Sequence, residues 1–157
     1  MGTFTATRAA ADFPVFEASG AGILCRAFGV IAVSAAPAAA DIYQMCRLPK
    51  GAVVLGGFFY ADDLDTGVET LDMDVGWAAN GAEAADPDGL GNFGVLTGDA
   101  VIGYKPEVGT LLPLAGVLLT AGSQAFTKET IIQVVANVVA ATFAAGNMTV
   151  VVDYIVP

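Results

Sequence analysis

The stretch that decides the fold is Leu48–Trp77, LPKGAVVLGGFFYADDLDTGVETLDMDVGW. Its last part alternates between apolar residues and small or polar ones. The apolar members are Leu71, Met73, Val75 and Trp77, and the residues between them are Asp72, Asp74 and Gly76. Because side chains on a strand point alternately to opposite faces, this pattern predicts a strand with one buried and one acidic, solvated face. A helix would scatter the two aspartates among the apolar positions.

The first part of the same stretch reads as a strand that is apolar on both faces. Ala52–Ala61 carries large apolar residues at odd and even positions alike, which is typical of a strand covered on both sides. Within it, Gly56-Gly57 predicts a bend, a bulge or a close backbone approach. The following acidic run, Asp62–Gly67, supplies carboxylates that can bond turn amides. The whole unit is therefore two strands joined by an acidic turn.

The remainder of the chain extends this β pattern to about eight strands with closely spaced turn signals and no strong amphipathic helix. Further predicted strands are Gly22–Ser34, Asp41–Leu48, Ala100–Tyr104, Thr110–Thr120 (an edge or a bulge at Pro113), Thr130–Val138 and Met148–Val156. Ala78–Gly91 is predicted to be a loop or a short helix, and Asn92–Gly98 one helical turn. The pattern predicts an all-β fold, an antiparallel β-sandwich.

The start of the chain has a different character. Residues 1–20 are rich in Ala and Thr and too irregular to form a packed unit, so they are predicted to be an N-terminal arm before a sandwich domain at residues 21–157. The arm carries Phe4, Phe13 and Phe16. Because disordered tails rarely hold so many aromatic residues, these three side chains are the candidate partner-binding residues.

Composition points to assembly. Of 157 residues, 55% are hydrophobic and only 14% are charged, which suggests that other subunits cover part of the surface. The net charge is −10, and the six basic residues all lie outside Gly51–Tyr104, where ten of the sixteen acidic residues lie. Phosphate binding needs clustered Lys and Arg, so the sequence argues against nucleic acid as a partner. The acidic region is expected to be a solvated outer face.

Motifs for chemistry are weak. With no histidine, the usual base for nucleophilic catalysis and the commonest zinc ligand are missing. Gly89–Gly94 matches G-x-G-x-x-G, but it follows no strand and is interpreted as a glycine-rich loop. Asp63–Gly67 and Asp86–Gly89 resemble fragments of calcium loops without the later ligands, and their aspartates are interpreted as turn aspartates. A cation site built from separate loops within Asp62–Asp99 remains an alternative; no cofactor is predicted.

Two cysteines and two charge-poor stretches bear on the compartment. Cys25 and Cys46 would lie opposite each other if their strands formed a hairpin around Ala35-Ala36. With no evident signal peptide, two buried reduced thiols are predicted instead. Val108–Thr127 and Thr130–Val152 lack charge but are interrupted by proline, glycine or polar residues, so neither is interpreted as a membrane span. The sequence predicts a soluble protein without a membrane partner.

Leu48–Trp77, together with the ending Asn147–Val156 (NMTVVVDYIV), resembles small structural proteins of tailed bacteriophages, in particular the jelly-roll decoration (cement) proteins of phage heads. The resemblance implies a jelly-roll sandwich without catalytic residues. It also implies a homotrimer that binds the major capsid protein on the outer surface of a virion assembled in the host cytoplasm. The alternatives are a phage tail, neck or fibre component, or a carbohydrate- or receptor-binding sandwich. The last is disfavoured because Trp77 belongs to the apolar row.

Overall fold

The computed structural model describes residues 1–15, 22–68, 70–96 and 110–157. The described residues form ten strands, one short helix and one 3₁₀ turn at Thr7–Ala9. The strands are β1 (Thr3–Thr5), β2 (Cys25–Val33), β3 (Ile42–Leu48), β4 (Val53–Ala61), β5 (Asp72–Trp77), β6 (Asp86–Val95), β7 (Thr110–Pro113), β8 (Gln124–Ala125), β9 (Thr130–Val138) and β10 (Gly146–Ile155); the helix is α1 (Val117–Ala121).

The strands form two sheets that face each other. The first sheet has the order β1-β3-β9-β5-β6, and the second has the order β2-β10-β4-β7, with β8 also paired to β4. Every pair is antiparallel except β1 with β3. From β2 to β5 the chain changes sheet at each strand, and β9 and β10 return to the middle of the two sheets. This path is that of a jelly roll, and the predicted all-β sandwich is confirmed.

The apolar row of the deciding stretch lies in the core, as predicted. Leu71, Met73, Val75 and Trp77 are all buried, and the single tryptophan is 5% exposed. Its ring meets the ring of Phe126 edge-on at 5.3 Å, and its Nε1–H donates to the carbonyl of Ala84 at 3.0 Å. Burial of a large aromatic side chain with its one polar atom bonded stabilises this region strongly.

Gly56 and Gly57 of β4 lie at a bulge and at a close backbone approach, two of the features that the sequence predicts there. The register of β4 against β10 shifts between Asp153 and Tyr154, which leaves Leu55 as an extra residue opposite that step. Gly57 has φ 145°, and a Cβ there would lie 2.0 Å from the carbonyl oxygen of Val151. Only glycine tolerates this conformation together with this approach, so the predicted bulge and close approach are both present.

Two predictions for the middle of the chain are wrong. Much of the predicted 78–91 loop, and the predicted helical turn at 92–98, belong to β6, which pairs with β5. Irregular pairing hides this strand in the sequence, because the register shifts twice along it. Gly89 has no room for a side chain, since a Cβ there would lie 2.4 Å from the Trp77 ring, and Leu90 is fully buried. The G-x-G-x-x-G match is thus part of a strand.

The apolar segment from Thr110 is a strand only up to Pro113, on the edge of the second sheet as predicted for a proline. It then turns into α1, so the prediction of a strand to Thr120 is wrong. Residues 114–121 depart from the sheet because Gly116 adopts φ 59° and redirects the chain. The predicted strand Ala100–Tyr104 lies outside the described residues.

The cysteines do not face each other in a hairpin. Cys25 starts β2 in the second sheet, whereas Cys46 lies in β3 in the first sheet, so the hairpin alternative is wrong. The two strands pair with β10 and β9 instead of each other, because the jelly-roll path sends consecutive strands to opposite sheets. Both thiols are free and buried.

We expect neither thiol to react readily in the folded protein. Burial raises the pKa of the Cys46 thiol to about 12, and the thiolate is the reactive form. Alkylation followed by mass spectrometry should give little labelling in native buffer and two adducts in denaturant without reductant. Rapid labelling of the native protein would contradict the burial. An unlabelled mass after unfolding would contradict the free thiols.

Candidate assembly surface

The outer face of the second sheet is the most unusual surface of the molecule. Alternate residues of β2, β10, β4 and β7 point away from the core, and the strand register places them in rows. One row is Phe28, Val151, Phe58 and Pro113, and the next is Val30, Thr149, Tyr60 and Leu111. We call these eight residues the apolar face. Thr149 and the Tyr60 hydroxyl are its polar members.

The charged residues of these strands lie at the two ends of this surface. At one end Arg26 donates to both carboxylate oxygens of Asp153, at 2.6 and 2.9 Å, so the pair is neutral. At the other end Asp62 accepts from the Tyr60 hydroxyl at 2.6 Å and from the backbone N–H of Asn147 at 2.7 Å. Between these ends, the four strands present no charged side chain among the described residues, but the Arg8 guanidinium of the N-terminal segment lies 3.9 Å from the centre of the Phe28 ring.

An antiparallel sheet that faces water usually shows polar residues on its outer side. Here Val30 is 49% exposed, Phe28 is 37% exposed, and Pro113 is exposed at the opposite edge of the sheet. Val151, which lies between them, is buried by its neighbours. The prediction that β4 is covered on both sides is therefore met by this chain on the core side only. Rows of partly exposed apolar side chains of this kind are typical of a site that another molecule covers.

The outer face of the first sheet is polar and acidic by contrast. It carries Asp72 and Asp74 on β5 and Gln133 on β9, with Gln44 on β3. The prediction that both aspartates are solvated is wrong for Asp74, which is 4% exposed. Burial raises the pKa of this carboxyl group.

A bulge in β9 explains the burial of Asp74. The pairing of β9 with β5 skips Asn137, whose Nδ2 then donates to Asp74 Oδ2 at 2.6 Å. The backbone N–H of Phe93 on β6 donates to the other oxygen at 3.2 Å. The sequence pattern placed Asp74 on the correct face but did not indicate the groups that cover it.

Asp65, in the acidic run Asp62–Gly67, links two connections of the fold through hydrogen bonds. Asp65 is buried and accepts from four backbone N–H groups, those of Thr70 (2.7 Å), Leu71 (3.2 Å), Ala141 (3.1 Å) and Thr142 (2.8 Å). The predicted role of these carboxylates as acceptors for turn amides is confirmed, and it extends to the β9–β10 connection. In the described part of the chain, no three His, Cys, Asp or Glu residues are arranged to hold a metal ion.

The N-terminal segment, residues 1–15, lies against its own domain. β1 pairs with β3, and the Phe4 ring stacks on Tyr43 with centroids 4.9 Å apart. The Arg8 guanidinium lies 5.1 Å from the Phe13 ring centre and 3.9 Å from that of Phe28. Phe16, the third candidate, lies outside the described residues. Through Phe28, this segment reaches the rim of the apolar face.

Within the described ranges, no helix has the length and apolar character needed to cross a membrane. No protein-family model matches the chain, and no curated protein sequence does.

The two sheets place the chain among the jelly-roll β-sandwich proteins. Comparison with solved structures finds this fold in chains of phage capsids. The chain is similar to a chain in the capsid of Ralstonia phage GP4, with TM-score 0.76, 21% identity and 99% of each chain covered. It is also similar to a chain in the capsid asymmetric unit of cyanophage Pam1, with TM-score 0.65, 26% identity, and 92% of this chain and 94% of that chain covered.

A third similar chain comes from the acidic stable capsid structure of Helicobacter pylori bacteriophage KHP30. The TM-score is 0.54, the identity 15%, and the coverage 87% of this chain and 90% of that chain. The resemblance to phage head proteins is thus confirmed at the level of fold over nearly the whole chain. The matches support a structural role in a virion.

Proposed function

We propose that the chain is a capsid decoration (cement) protein that binds the shell of major capsid protein and stabilises a phage head. The observation that carries the proposal is the apolar face, in which Phe28, Val30 and Pro113 stay exposed although the chain has a net charge of −10. The similarity to chains of phage capsids supports it. Such a protein works by contact and not by catalysis.

The two faces of the sandwich suit this role differently. Burial of the apolar face against the shell gains roughly 25 cal/mol per Å² of apolar surface removed from water, and neighbouring capsomers bridged in this way resist separation. The polar outer face of the first sheet then points away from the shell, and the net charge of −10 keeps particles apart. We therefore place the protein on the outer capsid surface of a virion assembled in the host cytoplasm.

Further parts of the proposal concern partners. We propose a homotrimer, with residues 1–20 as an arm and residues 21–157 as the sandwich domain. Phe4 extends the contact with the shell, as do Phe13 and Phe16; Phe4 is 44% exposed and already lies at a sheet edge. Nucleic acid and membranes are not partners in this proposal. A carbohydrate-binding role is disfavoured because the Trp77 ring is buried in the core.

The test is co-sedimentation of purified protein with expanded heads that lack it. A glutamate at position 30 (Val30→Glu) places a charge in the middle of the apolar face, where docking would have to bury it. We expect at least about a tenfold loss of affinity, about 1.4 kcal/mol. Because Val30 is half exposed in the free protein, the fold should tolerate the change.

The matched control is Val68→Glu, which adds the same charge at a residue that is 83% exposed and lies in the β4–β5 connection, outside the apolar face. It should pellet like the wild type. If the wild-type protein never pellets with heads, the proposal is wrong. If both variants pellet as well as the wild type, the apolar face is not the docking surface. Binding to isolated tails alone would favour the tail-component alternative.

A further inference from the structure

The three arginines of this acidic chain differ in the groups that they contact. Arg26 is paired with Asp153, and Arg47 is paired with Glu129 and also donates to the carbonyls of Ala10 and Ala11. Arg8 has neither a carboxylate partner nor a hydrogen bond within the described ranges. Its guanidinium instead lies over the rings of Phe28 and Phe13. A charged group with five N–H donors is thus held in place by aromatic contacts.

The surroundings of Arg8 form a small cleft between the N-terminal segment and the edge of β2. All three arginines of the chain line it, together with Phe13 and Phe28, and its free volume is about 50 Å³. Arg26 and Arg47 are each paired with a carboxylate. Within the described part of the chain, Arg8 is therefore the arginine of this cleft whose charge is not compensated.

We propose that Arg8 binds a carboxylate side chain of the shell protein that covers the apolar face. This inference rests on the proposed function and names the polar anchor at the rim of that docking surface. Phe28 belongs to the apolar face and also carries Arg8, so a chain seated on the face reaches the guanidinium. The planar guanidinium matches a carboxylate through two parallel hydrogen bonds.

Other occupants fit less well. A phosphate of nucleic acid would have to approach a chain of net charge −10 that offers no cluster of uncompensated basic residues. A carboxylate of a second copy has the right chemistry, but nothing places a second copy on the apolar face. A complementary charge pair at the rim of an interface speeds association and fixes the orientation of the partners, so Arg8 supplies orientation above all.

The test compares Arg8→Gln with Lys128→Gln in the head co-sedimentation assay at low and high salt, with full-length protein. Each variant removes one exposed positive charge, but Lys128 lies on the β8–β9 connection, away from the apolar face. We expect Arg8→Gln to weaken binding about tenfold at low salt and to reduce the salt dependence of binding. Lys128→Gln should bind like the wild type, and Arg8→Lys should recover part of the loss.

Several outcomes would overturn the inference. If Arg8→Gln binds heads like Lys128→Gln at both salt concentrations, Arg8 is not an anchor, while the proposed decoration function stands. If Arg8→Gln changes the oligomeric state in sedimentation equilibrium but not head binding, the carboxylate belongs to a second copy. If the wild type does not bind heads, the proposed function and this inference both fail. Unchanged Trp77 emission in Arg8→Gln will show that the fold is intact.

Discussion

Replacement of Gly29 by alanine should destabilise the protein by at least about 3 kcal/mol, and the variant is expected to fold poorly. Gly29 lies on the inward side of β2, where the strand crosses β3 of the other sheet. A Cβ at this position would lie 1.9 Å from the carbonyl oxygen of Met45 and 2.4 Å from its carbonyl carbon. The obstacle is backbone, which has no rotamer to change, so the two sheets would have to separate along this side of the sandwich.

Gly56→Ala on β4 is the matched control. A Cβ at Gly56 meets nothing within 4 Å, and its φ is not in the left-handed region. The stability of this variant should stay within about 1 kcal/mol of the wild type. Urea unfolding followed by the emission of Trp77 measures both. Equal midpoints for the two variants would show that β2 and β3 do not approach as closely as described.

Replacement of Asp65 by alanine should cost about 2–4 kcal/mol, because it removes a buried carboxylate that accepts from four backbone N–H groups at once. These bonds join the β4–β5 connection to the β9–β10 connection, so both loops should loosen together. Hydrogen exchange at Thr70, Leu71, Ala141 and Thr142 measures this directly. The control is Asp63→Ala, two residues away and exposed, which should leave stability within about 0.5 kcal/mol of the wild type. Unchanged exchange in Asp65→Ala would contradict the network.

The same residue predicts a pH dependence. Burial alone would raise the pKa of Asp65, but the four backbone N–H groups together lower it to about 2. A carboxyl group whose pKa is lower in the folded state than its ordinary value of about 3.9 stabilises the fold above that value. This contribution is lost as the pH falls from about 4 towards 2. The stability difference between wild type and Asp65→Asn should therefore be largest near neutral pH and shrink over that range.

Several features of this structure could be predicted from the residues of Leu48–Trp77 and from the composition of the chain. Alternation along β5 requires a buried row whatever the topology, because adjacent residues of a strand cannot share a face. Carboxylates next to free amides in a turn predict hydrogen bonds such as those of Asp65. Low charge in an apolar chain predicts a covered surface without saying where it lies. The first two inferences depend on neighbours in sequence, so the sequence by itself determined them, whereas the covered surface stays a prediction.

Other features of the molecule could be seen only in the tertiary structure, because they depend on contacts between residues far apart in the chain. Asp74 is buried because a bulge brings Asn137 to it, and β6 is a strand because β5 pairs with it despite two irregular steps. The apolar face exists because β2, β10, β4 and β7 align their outward residues, and no single strand shows that alignment. Arg8 is placed at its rim by contacts with Phe28. Such features follow from strand order and register, which set the neighbours of a side chain across the sheet, whereas sequence patterns report only its neighbours along the chain.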